Sequence, residues 1–105
     1  MHISSLPGKQ GIGTMGKSAY KFVDFLQDSL QSYWQILPIC PTSYGDSPYQ
    51  SYSTFAGNPY FIDLDMLCDM GLLEAFDYVG IDYEAAEDNV NYGALYRLRY
   101  PCLLY

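Results

Sequence analysis

The sequence predicts an α/β fold, but the chain is too short to form a complete α/β barrel. Short apolar segments at 2–6 and 33–37 flank an amphipathic stretch, which gives the order strand, helix, strand. This order predicts two parallel strands joined by a right-handed crossover. It amounts to about one and a half βα units, whereas a closed (β/α)8 barrel has eight units in about 250 residues. A chain of 105 residues is therefore one domain at most, and part of any α/β barrel.

The two predicted strands are short apolar runs with clear ends. His2 to Leu6 stops at Pro7-Gly8, and Tyr33 to Leu37 stops at Pro38. Proline ends a strand because it cannot donate a ladder hydrogen bond. Parallel sheets are covered on both faces, so we expect Tyr33 to Leu37 to be buried.

Two α-helices are predicted, one between the two strands and one after the second strand. Gly16 to Leu30 has apolar residues at intervals of three and four, the pattern of an amphipathic helix. Asp63 to Gly71 reads as a shorter helix, with Asp63 as its N-cap and Gly71 as its stop.

The C-terminal third is predicted to be irregular and then helical. Residues 72–88 are acidic without a regular apolar period, whereas Val90 to Leu104 returns to helical spacing. Pro101 falls inside that segment and is expected to kink or end the helix.

The composition excludes several classes of function. Five basic residues against twelve acidic ones give a formal charge of −7, which argues against nucleic acid and against an anionic membrane surface. The three cysteines are widely spaced without a CxxC pair, so neither a disulfide framework nor a zinc site is predicted. No apolar stretch reaches the roughly 20 residues of a membrane span, and no signal peptide is visible. We expect a cytoplasmic protein without a metal or another cofactor.

A long aromatic loop is the most informative part of the chain. About twenty residues follow Pro38 before apolar periodicity returns at Phe61, and loops of that length in compact domains are usually functional. Flat rings among hydroxyls and amides suit a ligand with apolar faces and hydroxyl edges, such as a sugar. The alternative is that the rings pack against one another. The aromatic residues of the loop are Tyr44, Tyr49, Tyr52, Phe55 and Tyr60, with Tyr33 at its root.

Other catalytic and binding patterns are weak. The segment GIGTMG has the letters of a dinucleotide-binding motif, but Gln35 and Ile36 stand where an acid is expected about 20 residues on. We interpret its glycines as shaping a loop on the substrate side. Among the carboxylates, Asp63 suits helix capping better than catalysis, and His2 has no partner for a triad or a metal site.

Three stretches together carry a resemblance to a known family. HISSLPG, GIGTMG and SYWQILPICPTSYGDSPYQSYSTFAGNPYFIDLDML resemble the N-terminal part of the amylomaltases, the 4-α-glucanotransferases also called disproportionating enzyme or D-enzyme. VNYGALYRLRYP is similar to a later helical segment of the same family. The resemblance implies the N-terminal portion of a (β/α)8 TIM barrel of the α-amylase clan, with a long loop and a helical insertion. Residues 1–105 are then expected to be a fragment of the catalytic barrel, truncated at both ends.

The resemblance also implies an activity. Family members transfer a segment of an α-1,4-glucan to the 4-hydroxyl of glucose or another glucan, with retention of configuration. Retention uses a carboxylate nucleophile and an acid/base carboxyl, and in the family both lie downstream of the matched region. No catalytic residue is therefore expected in this chain. Its implied partners are maltooligosaccharides, starch, glycogen and the remainder of the barrel.

Six residues are implied to bind glucan. Tyr49 of the GDSPYQ motif resembles a family tyrosine that stacks on the sugar beside the scissile bond. Ser47 resembles a family serine that hydrogen-bonds at the same place. Asp46 and Gln50 belong to the same motif and are expected to have supporting roles. Two further tyrosines resemble a remote, secondary glucan site. The substrate-binding residues are Tyr49, Ser47, Asp46 and Gln50, and the secondary-site residues are Tyr44 and Tyr96.

Two other interpretations remain open from the sequence. A free-standing glucan-binding module would use the tyrosine loop without chemistry. A non-functional gene remnant would not fold. The transferase interpretation is favoured because the motifs follow a catalytic barrel.

Overall fold

The computed structural model describes residues 1–43, 45, 47, 49–84 and 89–104, and the secondary structure in them is helical. The α-helices are α1 (Lys17–Asp28), α2 (Leu64–Asp69) and α3 (Tyr92–Leu104). Single 3-10 turns occur at Ile3–Ser5, Pro59–Phe61 and Ala75–Asp77.

Neither predicted strand is present, so this part of the fold prediction is wrong for the described residues. The segment 2–6 contains the 3-10 turn Ile3–Ser5, and 33–37 has no regular secondary structure. Ile36 and Leu37, which were expected to be buried, are 38% and 37% exposed. A strand requires backbone partners on a neighbouring strand, and no described segment supplies them.

The two segments nevertheless lie side by side. Trp34 Nε1 donates to the Met1 carbonyl at 2.6 Å, and Leu37 N donates to His2 Nδ1 at 3.3 Å. Burial lowers the pKa of His2, which favours the neutral ring that can accept this bond. Side-chain bonds therefore replace the expected backbone ladder.

Helix α1 confirms the predicted helix within two residues at each end. It is amphipathic, yet none of its residues is buried. Ala19 and Phe22 only pack against the edge of the core, and the Phe22 ring meets the Trp34 ring at a centroid distance of 4.8 Å. Val23 and Phe25 of the same helix are exposed to solvent.

Helix α2 confirms the predicted capping. Asp63 Oδ1 accepts from Met66 N at 2.9 Å, which satisfies one of the free donors of the first turn. Gly71 lies at φ 74° just after the helix, the left-handed conformation in which glycine commonly ends helices.

Helix α3 confirms the predicted C-terminal helix and excludes one of the two effects predicted for Pro101, the end of the helix. Asn91 Oδ1 accepts from Ala94 N at 3.0 Å and so caps its first turn. The helix continues through Pro101 to Leu104, so Pro101 does not end it.

The core lies where the N-terminal segment, the 3-10 turn Pro59–Phe61 and α3 meet. Seven buried apolar side chains form one cluster, and the partly buried Phe22, Trp34 and Tyr100 pack against it. The cluster consists of Ile3, Leu6, Ile12, Tyr60, Phe61, Tyr83 and Leu95. The glycine-rich segment therefore contributes to packing, and its predicted role toward substrate stays a prediction.

A polar network lies beneath α3, beside this core. Arg99 is fully buried; Nη1 donates to the Gln10 carbonyl at 2.8 Å, and Nη2 donates to the Ile62 carbonyl. Gln10 Oε1 accepts from Leu64 N at 2.9 Å, while Gln10 Nε2 donates to Asp63 Oδ2 at 3.2 Å. The network joins the glycine-rich segment, the start of α2 and α3.

We expect Gly13→Ala to lower the free energy of unfolding by about 1–3 kcal/mol, the usual range for overpacking. A Cβ on Gly13 would overlap the Ile3 carbonyl oxygen and lie 2.7 Å from Leu6 N. Both neighbours are backbone atoms, which cannot move aside as a flexible side chain can. Urea unfolding followed by Trp34 fluorescence measures the change.

Gly57→Ala is the matched control for that substitution. A Cβ on Gly57 meets nothing within 4 Å, so its unfolding midpoint should stay close to that of the parent chain. Equal midpoints for the two variants would contradict the close approach at Gly13.

Candidate functional site

The aromatic loop is closed at its base by hydrogen bonds. Asn58 N donates to the Ile39 carbonyl at 2.8 Å, and Cys40 Sγ donates to the Thr54 carbonyl at 3.2 Å. Asn58 is buried, and its side chain accepts from Tyr60 N at 2.9 Å. These bonds hold the two ends of the loop together over the core.

The tip of the loop is held by a second set of bonds. Ser43 N and Ser43 Oγ both donate to the Gln50 carbonyl, at 2.9 and 2.6 Å. Gln50 N donates to the Ser47 carbonyl at 3.1 Å, and Tyr49 N donates to Ser47 Oγ at 3.3 Å. Ser47 Oγ acts as an acceptor in that bond, so the hydroxyl proton remains able to reach a ligand.

Several rings of the loop project into solvent. Tyr49 is 73% exposed, Tyr52 is 71% exposed, and Phe55 is fully exposed. Tyr33, at the root of the loop, is 91% exposed, whereas Tyr60 is buried. Tyr60 packs against Tyr92 and Tyr100 of α3, whereas the other four rings are not buried by packing within the loop.

Two predicted site residues lie outside the described residues. These are Tyr44, of the secondary glucan site, and Asp46, of the substrate-binding motif. Of the remaining four, Ser47, Tyr49 and Gln50 come together at the tip, and Tyr96 lies on α3.

A cavity of about 670 Å³ separates the loop from α3. The helix contributes Tyr92, Tyr96 and Tyr100, which share one face because they are four residues apart. Across the cavity lie Tyr52 and Ser43 of the loop. Rings and hydroxyls thus face each other over a space large enough for sugar units.

Ring contacts organise the helical side of this cavity. Tyr100 meets Tyr60 edge-on at a centroid distance of 5.4 Å and Tyr96 at 5.2 Å. Burial, together with the neighbouring Tyr52, raises the pKa of Tyr100 above its ordinary value. Tyr96 is 67% exposed and is available to a ligand.

Tyr96 was predicted to bind glucan and Tyr52 only as one of the rings of the loop, whereas Tyr92 and Tyr100 were not predicted as site residues. A usable signal was present, because tyrosines at 92, 96 and 100 follow the helical spacing of four. The partner residue Tyr52 lies far away in sequence, and only the fold brings it to the same cavity.

The carboxylates near the start of α2 are engaged in structural bonds. Asp63 Oδ2 accepts from Thr14 Oγ1 and Gln10 Nε2. Asp65 Oδ1 accepts from Tyr78 Oη at 2.8 Å, and this bond raises the pKa of Tyr78. Their arrangement is that of helix capping and turn stabilisation, as predicted for Asp63.

Features of other site classes are missing from the part of the chain that the structure describes. There, no three or more His, Cys, Asp or Glu side chains form a group that could hold a metal ion. No described helix has the length and apolar character needed to cross a membrane. Cys40, Cys68 and Cys102 are unpaired thiols.

Comparison with known proteins gives one consistent result. A family profile described as 4-alpha-glucanotransferase matches residues 1–104. The 4-alpha-glucanotransferase of Streptococcus pneumoniae serotype 4 is 60% identical over 103 residues, which cover 98% of this chain and 20% of that protein. The 4-alpha-glucanotransferase of Thermus thermophilus is 47% identical over 104 residues, with the same coverage.

A solved structure agrees with the sequence comparison. An amylomaltase from Streptococcus agalactiae in complex with acarbose superposes with a TM-score of 0.95 at 50% identity. The match covers 99% of this chain and 21% of the other. The chain thus spans about one fifth of the length of these relatives.

Proposed function

The chain belongs to the 4-alpha-glucanotransferase family, and we propose that it supplies the glucan-binding loop of such an enzyme. The whole enzyme transfers a segment of an α-1,4-glucan to the 4-hydroxyl of glucose or another glucan, in maltodextrin, starch and glycogen metabolism. A carboxylate nucleophile and an acid/base carboxyl for this retaining reaction come from elsewhere in the longer polypeptide. A cytoplasmic location is supported by the unpaired thiols.

The exposed ring of Tyr49 carries this proposal. It stands at a loop tip that backbone hydrogen bonds already hold in place, so little ordering is required on binding. An aromatic face at that position suits the apolar face of a sugar ring. The similar amylomaltase was solved in complex with acarbose.

The neighbours of Tyr49 complete the binding motif. Ser47 has a hydroxyl proton to donate to a sugar oxygen, and the exposed Gln50 amide lies beside Gly45 at the same tip. We assign Asp46 a supporting role on its place in the GDSPYQ motif.

A second glucan site is proposed at the cavity between the loop and α3. Its support is the exposed Tyr96 among the rings of Tyr52 and Tyr100. Tyr44 is assigned to the same site from the family resemblance. Long glucans would reach it beyond the reacting sugar.

A glucan-binding module without chemistry is the second candidate function. Exposed rings favour it, and so does the engagement of Asp63 and Asp65 in capping and turn bonds. The two candidates differ in whether this sequence supports transfer once the rest of the enzyme is present.

The test uses a chimera in which this chain replaces the 103 matching residues of the Streptococcus pneumoniae relative. We expect Tyr49→Ala in the chimera to lower both kcat and kcat/KM on maltotriose, by about tenfold to a hundredfold. A stacking contact contributes roughly 1 kcal/mol beyond area burial, and lost positioning of the sugar near its transition state adds to that.

Two variants serve as controls in the same kinetic assay. Phe55→Ala removes a fully exposed ring of the same loop and should leave kcat unchanged. Tyr96→Ala should change the affinity for long glucans or the size of the products, with little effect on maltotriose. If Tyr96→Ala lost kcat while Tyr49→Ala kept it, the assignment of the two rings would be reversed.

A further inference from the structure

A smaller cavity lies at the base of the aromatic loop, against the N-terminal segment. Its volume is about 220 Å³. One water molecule takes up roughly 30 Å³ in the liquid, so the cavity has room for a single sugar ring. The N-terminal segment contributes His2 and Ser4 to its wall, and the loop contributes Thr42 and Asn58. We call this space the loop-base cavity.

Asn58 has an amide group that is available to a ligand. The residue is only 8% exposed, and its Oδ1 accepts from Tyr60 N at 2.9 Å. Since only the oxygen of an amide can accept, this bond fixes which side of the group carries the NH2. Among the described residues Nδ2 has no acceptor, yet it is not one of the fully buried atoms that lack a partner. Nδ2 is therefore reached from the cavities that Asn58 lines.

His2 supplies a second donor to the loop-base cavity. Its Nδ1 accepts from Leu37 N at 3.3 Å, and burial lowers the pKa of His2, which favours the neutral ring. A neutral ring whose Nδ1 accepts carries its proton on Nε2, and no described residue accepts that proton. The His2 ring also meets the Phe61 ring edge-on at a centroid distance of 5.4 Å, which holds its orientation.

The lining of the loop-base cavity favours an uncharged ligand. None of the described residues that line it is Asp, Glu, Lys or Arg, so a phosphate or carboxylate would be desolvated there without a counter-charge. An apolar ligand would leave the donors unsatisfied, which is costly. A neutral ring with hydroxyl edges and apolar faces suits both parts of the lining. The other polar groups are the hydroxyls of Ser4, Ser5 and Thr42, and the apolar wall includes Leu37 and Phe61.

We propose that the loop-base cavity binds one neutral sugar ring of an α-1,4-glucan, with Asn58 Nδ2 and His2 Nε2 as hydrogen-bond donors and the Thr42 hydroxyl as a third. The inference rests on the proposed function, because the ring belongs to the kind of glucan that the loop binds. Thr42, Asn58 and Tyr92 line both this cavity and the larger one between the loop and α3. The two spaces therefore adjoin, which allows one glucan chain to occupy both.

The experiment titrates the isotope-labelled chain with maltose and follows the side-chain amide signals by NMR. We expect the NH2 signals of Asn58 to shift and to saturate as maltose is added. Signals of Asn58 that do not move up to the solubility limit of maltose would overturn the proposal. A phosphorylated glucose tests the charge preference. It should bind more weakly than unmodified glucose, and tighter binding would overturn the assignment of a neutral ligand.

Asn58→Asp separates the donor of Asn58 from its structural bond. The aspartate keeps an oxygen to accept from Tyr60 N, and aspartate and asparagine cap turns about equally well, but the donor to the ligand is lost. We expect the Kd for maltose to rise about tenfold.

Asn91→Asp is the matched control for that substitution. Asn91 Oδ1 also caps a turn, accepting from Ala94 N at 3.0 Å, and the change adds the same charge. Asn91 lines neither cavity, so the Kd for maltose should stay that of the parent chain. Equal changes of Kd in the two variants would overturn the role of Asn58.

Urea unfolding establishes that the variants are folded. If Asn58→Asp is unfolded, Thr42→Val takes its place, because it removes only a hydroxyl at nearly constant volume. Its Kd for maltose should rise about threefold. An unchanged Kd for folded Asn58→Asp, or for Thr42→Val in its place, would overturn the proposal.

The chimera with Tyr49→Ala separates failure of this inference from failure of the proposed function. Loss of kcat in that variant, with an unchanged maltose affinity of Asn58→Asp, overturns the loop-base cavity and leaves the glucan-binding loop intact. Unchanged kcat in that variant, with weakened maltose binding by Asn58→Asp, supports the cavity and contradicts the role of Tyr49.

Discussion

The isolated chain should show no disproportionation of maltotriose. Retention requires two carboxyl groups about 5 Å apart, one as nucleophile and one as acid/base. Of the twelve acidic residues, Asp63 caps α2 and binds Thr14, while Asp65 accepts from Tyr78. Asp77 Oδ2 accepts from Glu74 N in a capping turn. These three carboxylates are therefore engaged in helix capping and turn bonds.

The assay incubates the chain with maltotriose and separates the products by chromatography. The chimera is the positive control, and a protein-free incubation is the blank. Glucose together with longer maltodextrins above the blank, from the isolated chain, would contradict the prediction and would require a catalytic pair within these residues.

Local signals in the sequence predicted the helices well. The apolar period of α1 lies within the helix itself, and so do the cap of α2 at Asp63 and its stop at Gly71. Such features act between residues three or four apart, so one sequence suffices to find them.

The strands and part of the site depend on residues far away in sequence. Ile36 and Leu37 have the composition of a buried strand, but burial and pairing require neighbours that the described chain does not contain. The tyrosine cavity likewise joins Tyr52 to Tyr100 across a fold that no local pattern encodes. The tip residues Ser47 and Tyr49 could be predicted because they share one short motif.

The buried arginine could not be predicted for the same reason. Arg97 and Arg99 both lie on α3 and look alike in sequence. In the structure Arg97 forms an exposed ion pair with Glu84 at 3.8 Å, whereas Arg99 is fully buried. The two residues are two positions apart, so they lie on different sides of the helix. Gln10 and Ile62 pack beneath α3 on the side of Arg99 only, and their carbonyls accept its hydrogen bonds.

Arg99→Met should lower the free energy of unfolding by about 3 kcal/mol. The substitution leaves two buried acceptors unsatisfied, and each such acceptor costs about 1–3 kcal/mol. Those acceptors are the carbonyls of Gln10 and Ile62. Burial lowers the pKa of Arg99 because desolvation opposes the charged form. The hydrogen bonds offset that cost, and methionine would keep the apolar stem without them. The expected loss is roughly a hundredfold in the folding equilibrium.

Urea unfolding of three variants, followed by Trp34 fluorescence, tests this role of Arg99. Arg99→Lys should fall between Arg99→Met and the parent chain, because an ammonium group keeps the charge but cannot reproduce the planar fork of donors. Arg97→Met is the matched control on the same helix. Its exposed ion pair with Glu84 should contribute about 0–1 kcal/mol. Equal shifts of the unfolding midpoint for Arg97→Met and Arg99→Met would show that the buried network does not hold the glycine-rich segment, α2 and α3 together.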